Sequence, residues 1–296
     1  MRHFATALFS LAALGIFGQE SPEPGHGLPH TLAPHEVPLI EAYRNSRAGD
    51  RGIQAPPAWV PRTMAEWEEV QSVIVTWTSF ESILKQIVRH AKEECEVIIA
   101  CTDSNAVISY LNGANGGGPL PDLDNISYIE VGYNSIWGRD YGAETMYKNE
   151  VDSLYLMDWI YNRPRPLDDV MPEAIADFMG LPIFTATQAP YDVVHTGGNF
   201  MADGCGTAFS SYLVYDENGP SGDYNQTVKT QAQLDDLMEQ WMGISQYITM
   251  PTLQYDAIHH IDMHMKLLDE ERLLVGEFPV GVSDGPQIEI NLNSYV

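Results

Sequence analysis

The sequence predicts an α/β fold, and three observations predict it. Short β-rich runs, such as residues 72–77 (SVIVTW) and 96–100, are separated by stretches whose apolar residues recur at helical spacing. Gly180 and Gly243 stand where two such helices should stop. Two compact turns, Asp203-Gly204 and Asp269-Glu270-Glu271-Arg272, join pairs of β runs into hairpins. The recurring order of strand, helix, strand, loop and hairpin reads as α/β or α+β architecture built from supersecondary repeats, without a clean sequence repeat.

Along the chain, residues 1–18 read as a signal peptide. Arg2 gives a positive start, residues 4–17 are apolar, and Gly18 is a small residue ahead of Gln19. The run is too short to span a bilayer, no Cys follows it to carry a lipid, and no later stretch is long and apolar enough to cross a membrane. The expectation is a secreted or periplasmic protein with no membrane attachment after cleavage. Residues 19–61 hold eight of the nineteen prolines and little apolar periodicity, which predicts an extended or disordered linker. The folded domain is expected over 62–296.

Within it, 72–77 is the first strand. Thr78 and Glu81 form a capping box for a helix whose apolar face carries Phe80, Ile83, Leu84, Ile87, Val88 and Ala91. A buried strand at 96–100 and a Gly/Pro-rich loop at 112–121 follow. Strands are expected at 126–131, 154–160 and 181–185, with a short helix at 171–179. Residues 199–215 read as the first hairpin. Leu234, Leu237, Met238, Trp241 and Met242 line a helix. Residues 261–268 and 273–277 form the second hairpin, and Gly285-Pro286 opens a last helix.

Composition narrows the partners. Hydrophobic residues make up 44% of the 296, enough for a sizeable core. Asp and Glu number 41 against 15 Lys and Arg, a net charge of -26. That argues against nucleic acid, which needs clustered cations. It suits either a cationic ligand or a heavily solvated acidic surface. Cys95, Cys101 and Cys205 are an odd set, so at least one thiol is unpaired. On one strand Cys95 and Cys101 would lie roughly 20 Å apart, too far for a disulfide.

Four stretches carry chemistry. Trp137-Gly138-Arg139-Asp140-Tyr141-Gly142 places an Arg-Asp pair beside Trp in a loop, as a site or as an ion pair against a core Trp. In Tyr161-Asn162-Arg163-Pro164-Arg165-Pro166 the prolines favour extended geometry. Arg163 and Arg165 would then project to one side, to receive a carboxylate or to pair with Asp168 and Asp169. His195-Thr196-Gly197-Gly198-Asn199-Phe200 allows close backbone approach to a ligand, or a plain bulge and turn. His259-His260-Ile261-Asp262-Met263-His264, read as a strand, sets His260, Asp262 and His264 on one face, as metal ligands or as an acid/base His beside a carboxylate.

In this order the four stretches resemble the agmatine deiminases and bacterial-type peptidylarginine deiminases, enzymes of the guanidino-group-modifying pentein superfamily. The likeness runs from Met64-Ala65-Glu66-Trp67-Glu68 to the last residue, through 136–142, 196–208 and His260-Ile261-Asp262-Met263. It implies a five-bladed α/β propeller of ββαβ-type blades around a central site, with no cofactor. It implies that Asp140 and Asp262 grip the planar guanidinium through paired N–H donors, a match that suits two carboxylates. His260 would be the acid/base, Trp137 would line the pocket, and Asn199 would contribute to binding. The family nucleophile is a Cys near the C-terminus, whose thiolate attacks the guanidinium carbon.

Two departures qualify the resemblance. No Cys follows Cys205, which stands where the family does not place its nucleophile, so the fifth blade and the attacking thiol are expected to be missing and this chain to be inactive. Agmatine deiminases carry Glu before the Gly-Gly pair, where this sequence has Thr196. Arg163 and Arg165 resemble the arginines that receive the carboxylate of a C-terminal arginine in bacterial peptidylarginine deiminases. The leading expectation is therefore a peptidylarginine deiminase-like hydrolase yielding citrulline and ammonia. The alternatives are an agmatine deiminase yielding N-carbamoylputrescine in putrescine synthesis, an inactive arginine-binding protein, and a metallohydrolase built on His260, Asp262 and His264. Oligomeric state is open.

Overall fold

The computed structural model describes residues 32–47, 52–149 and 151–296. Helix α1 (Ile40–Ser46) precedes the short strand β1 (Pro61–Thr63). Strands β2 (Ser72–Thr76), β3 (Glu96–Cys101) and β4 (Ile126–Glu130) form a parallel sheet in sequence order, with α2 (Glu81–Ala91) and α3 (Ser104–Leu111) as the crossovers. The Val-Ile-Ile-Ala run of β3 is buried on both faces, as a central parallel strand requires. On the edge strand β2, Ile74 remains exposed.

The chain then passes through the single-turn helix α4 (Gly138–Tyr141) into β5 (Glu144–Lys148) and β6 (Asp152–Tyr161). Helices α5 (Pro166–Asp169) and α6 (Met171–Met179) lead to β7 (Ile183–Ala186) and β8 (Val194–His195). The order of this second sheet is β1-β5-β6-β7, and β8 pairs with the end of β6. A third sheet, β11-β10-β9, comprises β9 (Met201–Ala202), β10 (Thr207–Ser211) and β11 (Gln246–Met250), with α7 (Leu213–Asn218) and α8 (Gln231–Met242) between its last two strands. The hairpin of β12 (Met265–Leu267) and β13 (Leu273–Val275) and helix α9 (Gly285–Tyr295) complete the described residues.

Each sheet packs on the next through a shared core. Ile98, Ala100 and Ile129 of the first meet Tyr161, Met171 and Ile175 of the second. Trp159 and Phe184 of the second meet Ala208, Met238 and Trp241 of the third. Phe209 and Met250 of the third meet Met265 and Leu267 of the hairpin. The chain crosses from sheet to sheet at 131–143, 196–200 and 251–264, and three of the four chemistry-bearing stretches lie there; the fourth, at 161–166, joins β6 to α5 within the second sheet. No described helix is long and apolar enough to cross a membrane.

Several expectations change. The linker is not extended throughout: α1 packs onto the domain, and Tyr43 Oη donates to the Tyr161 carbonyl at 2.8 Å. Arg47 is wholly buried, 2.7 Å from Asp158 and 2.9 Å from Asp169. Residues 1–18 and the linker up to residue 31 lie outside the described residues. The capping box at α2 does not form. Phe80 occupies the N-cap with φ 65° and no side-chain cap, while Ile83 and Ile87 face solvent and Leu84 and Val88 face the sheet. Helix α3, not expected from the sequence, is capped by Asp103, whose Oδ1 accepts from Asn105 N and Ala106 N. The 199–215 hairpin is shorter than expected, since 213–218 is helical. Residues 261–263 are a 3₁₀ turn, and the strand begins at Met265.

A buried cation with two carboxylate partners is costly to delete, because the carboxylates then lack compensation. Arg47→Ala is expected to lower the unfolding free energy by about 3–5 kcal/mol in urea melts. An unchanged midpoint would show that α1 does not hold the domain.

Candidate active site

Asp140 sits in α4, which begins at Trp137; the Asp140 N–H donates to the Trp137 carbonyl at 2.9 Å. The preceding loop is anchored by Asp168, whose Oδ1 accepts from Asn134 N (2.7 Å) and Ser135 N (2.9 Å) and whose Oδ2 accepts from Ser135 Oγ (2.6 Å). Tyr141 shares a 2.6 Å hydrogen bond with Thr76 at the end of β2. These bonds leave Asp140 buried at the junction of the first two sheets.

His260 and Asp262 arrive from the crossing between β11 and β12. His260 Nδ1 stands 3.5 Å from Asp140 Oδ1. Asn199 places this turn: its Oδ1 accepts from Ser211 N (2.9 Å) and Ile261 N (3.2 Å). Asn199 is therefore a connector between the third sheet and the His260 turn, with its Nδ2 buried and unbonded. The third participant is backbone. A Cβ on Gly198 would lie 2.5 Å from His260 Nδ1 and 2.6 Å from Asp140 Oδ1, so the glycine is what lets the two side chains approach.

Burial dominates the electrostatics. Asp140 is pushed up to about 7 by burial first and by Asp262 second, against the opposing pull of Arg139 and Arg163. Asp262, which stays exposed to solvent, rises to about 6 through partial desolvation, with Arg139 opposing. His260 falls to about 3 through burial, then through Arg163, His195, His259 and Arg139. An ion pair between His260 and Asp140 would shift both groups the other way, so at neutral pH their contact joins an uncharged imidazole to a carboxyl poised between its two forms. Such a cluster is matched by a cation, which favours both carboxylates ionised and leaves the imidazole free to take a proton.

Trp137 lies at the rim of α4, 37% exposed, so it is not the core Trp of the alternative reading. Arg139 pairs with Glu66 and donates to the Phe200 carbonyl at 2.9 Å; Glu66 also pairs with Lys266, tying three crossings together. Arg163 is buried, and its charge acts on Asp140, His260 and Glu217. Arg165 follows after Pro164. Its N–H donates to the Arg163 carbonyl at 2.8 Å, a tight turn in place of extended backbone, and its charge acts on Tyr161 and Asp168. Asp169 is taken by Arg47.

The one-face arrangement of His260, Asp262 and His264 is not formed, because a 3₁₀ turn does not alternate faces as a strand does. Both ring nitrogens of buried His264 lack a hydrogen-bond partner, and the charges acting on it are those of Asp256 and Asp284. Among the described residues no group of three His, Cys, Asp or Glu side chains could hold a metal ion. Cys101 is packed in the core of the first sheet, where burial and Glu130 push its thiol up. Cys205 is exposed in the turn between β9 and β10. Sequence reasoning missed Glu217 beside Arg163. Its signal was the helical spacing of Leu213, Val214, Glu217 and Asn218, all buried in α7.

With this geometry in view, a family model described as Porphyromonas-type peptidyl-arginine deiminase matches residues 62–287. The chain belongs to that family. Its deiminases are hydrolases of guanidino C–N bonds. Among solved structures, a Porphyromonas gingivalis protein assigned as an arginine deiminase has 16% identity and a TM-score of 0.65, with 79% of this chain and 70% of that one covered. C. jejuni agmatine deiminase has 16% identity and a TM-score of 0.61 over 79% of this chain and 70% of its own. Enterococcus faecalis agmatine deiminase has 11% identity and a TM-score of 0.65 over 83% and 70%. These structures share the mixed α/β fold with this deiminase-family chain.

Gly198→Ala is expected to weaken guanidinium binding at least about a hundredfold, since the methyl group must separate Asp140 from His260, while costing only about 1–3 kcal/mol of stability. Calorimetric titration beside a urea melt separates the two effects. The acidic groups also set a pH dependence. A carboxyl raised above its unfolded value is protonated preferentially in the fold, so its stabilising contribution is present at low pH and lost as pH rises through 6 and 7. His260, depressed to about 3, acts oppositely between its ordinary value and 3. Binding of a cation needs the ionised carboxylates, so affinity for arginine is expected to fall about tenfold or more between pH 8 and pH 5.5. A flat profile would show that Asp140 and Asp262 do not bind the cation.

Proposed function

We propose that this chain carries the guanidinium-gripping and proton-transfer groups of a peptidylarginine deiminase-like hydrolase. The observation that carries the reading is the meeting of buried Asp140 and His260 at Gly198, with Asp262 exposed at the edge of the pair and its charge acting on Asp140. Asp140 and Asp262 hold the flat cation. A thiol attacks the guanidinium carbon after its proton passes to His260. The imidazolium then protonates the departing nitrogen, and ammonia leaves. His260 next takes a proton from water, whose oxygen attacks the same carbon; the thiolate departs and the ureido product remains. The thiol of this scheme is not assigned to Cys95, Cys101 or Cys205.

Within this proposal the successive sheets are blades of the five-bladed propeller that the resemblance implies. Residues 1–18 act as a secretion signal, which suits an extracellular peptide substrate. Arg163 favours arginine over agmatine, because a buried guanidinium whose charge reaches Asp140 suits a substrate that brings a carboxylate. Arg165, facing Asp168, takes a lesser part. Trp137 covers the aliphatic stem.

Two measurements test this. Calorimetry on this chain is expected to show arginine and an arginine-terminated peptide binding about tenfold more tightly than agmatine, with Arg163→Gln erasing the difference. Equal affinities would favour the agmatine reading, and binding of none of them would overturn the proposal. A colorimetric assay is expected to find no citrulline release. Release would assign the attack to one of the three cysteines, to be identified by Cys→Ser replacement.

A further inference from the structure

His195 has no part in the chemistry above, yet it is fully buried at the start of the loop that presses on the site. Its ring stacks on Trp159, with centroids 4.5 Å apart and planes at 22°. Both nitrogens are engaged. Nδ1 accepts from the Thr196 N–H at 2.9 Å, and Nε2 lies 3.1 Å from Tyr247 Oη. Tyr247 Oη donates to Ser210 Oγ at 2.7 Å, and Ser210 Oγ donates to the Asn199 carbonyl at 2.5 Å.

This chain begins on a backbone N–H, which can only donate, and ends on a carbonyl, which can only accept. One arrangement of hydrogens satisfies it. Thr196 N–H requires a bare lone pair on Nδ1. The Asn199 carbonyl requires the single hydrogen of Ser210, so Ser210 must accept from Tyr247. Tyr247 has then spent its own hydrogen and must accept from Nε2–H. His195 is the neutral Nε2–H tautomer, and adding a proton at Nδ1 would set two donors against each other. Burial acts in the same sense, pushing His195 down to about 3. Among titratable groups around the chain, His195 acts on His260, and Tyr215, Asp235 and Glu217 act on Tyr247.

The two ends of the hydrogen-bond chain are the two ends of one loop. Thr196 and Asn199 flank Gly197 and Gly198, and Gly198 is the residue against which Asp140 and His260 rest. We infer that His195 is a positioning residue: through its fixed neutral tautomer and the Tyr247–Ser210 relay it clamps the Thr196–Asn199 loop, and so sets the approach of His260 to Asp140. Its partners come from β6, β10 and β11, so the second and third sheets are both fastened to the site by it.

The inference rests on the proposed site only for its affinity readout, and two other readouts stand apart from it. Nitrogen-15 NMR of the histidine rings is expected to show His195 protonated at Nε2, bare at Nδ1, and unchanged from pH 8 to pH 5. His195→Phe keeps a ring on Trp159 but loses both polar atoms. It is expected to raise the His260 titration midpoint towards the ordinary histidine range and to weaken arginine binding about tenfold. His195→Gln, whose amide can accept and donate, is expected to restore most of both. Tyr247→Phe removes one hydroxyl, and is expected to move His260 the same way by less, which covers the case in which His195→Phe does not fold. An Nδ1–H tautomer, protonation of His195 near pH 6.5 in the folded protein, or a His260 midpoint that neither folded variant moves would overturn the inference. Loss of arginine binding in the unaltered chain alone would overturn the proposed function and leave the other two readouts to decide this one.

Discussion

A carboxyl and an imidazole buried together, with a second carboxylate exposed at their edge, are unfavourable company, and the site depends on that. Desolvation opposes charge on all three groups, so Asp140 and Asp262 rise while His260 falls. A guanidinium reverses the balance for the acids without needing to lose a proton itself, because it stays charged at any pH a protein experiences. On the proposed reading the cluster selects a cation because a positive charge offsets the cost of ionising its acids. Water could solvate the carboxylates, but it could not hold the two acids and a neutral base in one geometry.

That geometry is assembled at the crossings between sheets. The first and second sheets deliver Asp140, the second and third deliver Gly198, and the third sheet and the last hairpin deliver His260 and Asp262. Each crossing is irregular, and each is tied down by side chains that satisfy its backbone: Asp168 for 134–135, Asn199 for 211 and 261, and Glu66 through Arg139 and Lys266. The shared cores behind them leave little freedom for one crossing to move without its neighbours. The site is thus a product of packing between sheets as much as of any single loop.

Much of this was legible in the sequence. Strands β2, β3, β4 and β6 and helices α6 and α8 announce themselves by apolar runs, helical spacing and glycine stops. The approach of His260 to Asp140 was foreshadowed because their neighbours form an ordered set of motifs. What escaped had physical reasons. Alternation through 260–264 imitates a strand, but a 3₁₀ turn held by Asn199 forms there instead. Ile83 and Ile87 complete an apolar helical face, yet which part of it is covered depends on the sheet behind. Proline content disguised α1, whose attachment rests on Ile40 and Tyr43 in a small core and on Arg47 at its C-cap. The extended backbone expected through Arg163 and Arg165 is replaced by a turn closed by one hydrogen bond between them.

The attachment of α1 bears on how the molecule can be dissected. The family match begins at residue 62, but both polar groups of Tyr161 are held by partners that depend on the preceding segment. Its carbonyl takes the Tyr43 hydroxyl, and its N–H is received by Asp169, which pairs with Arg47. Two residues further on stands Arg163. A domain excised at the family boundary would strand Asp158 and Asp169 without their guanidinium and loosen the stretch leading to Arg163. The homologous core and the self-sufficient folding unit therefore have different starting points in this protein.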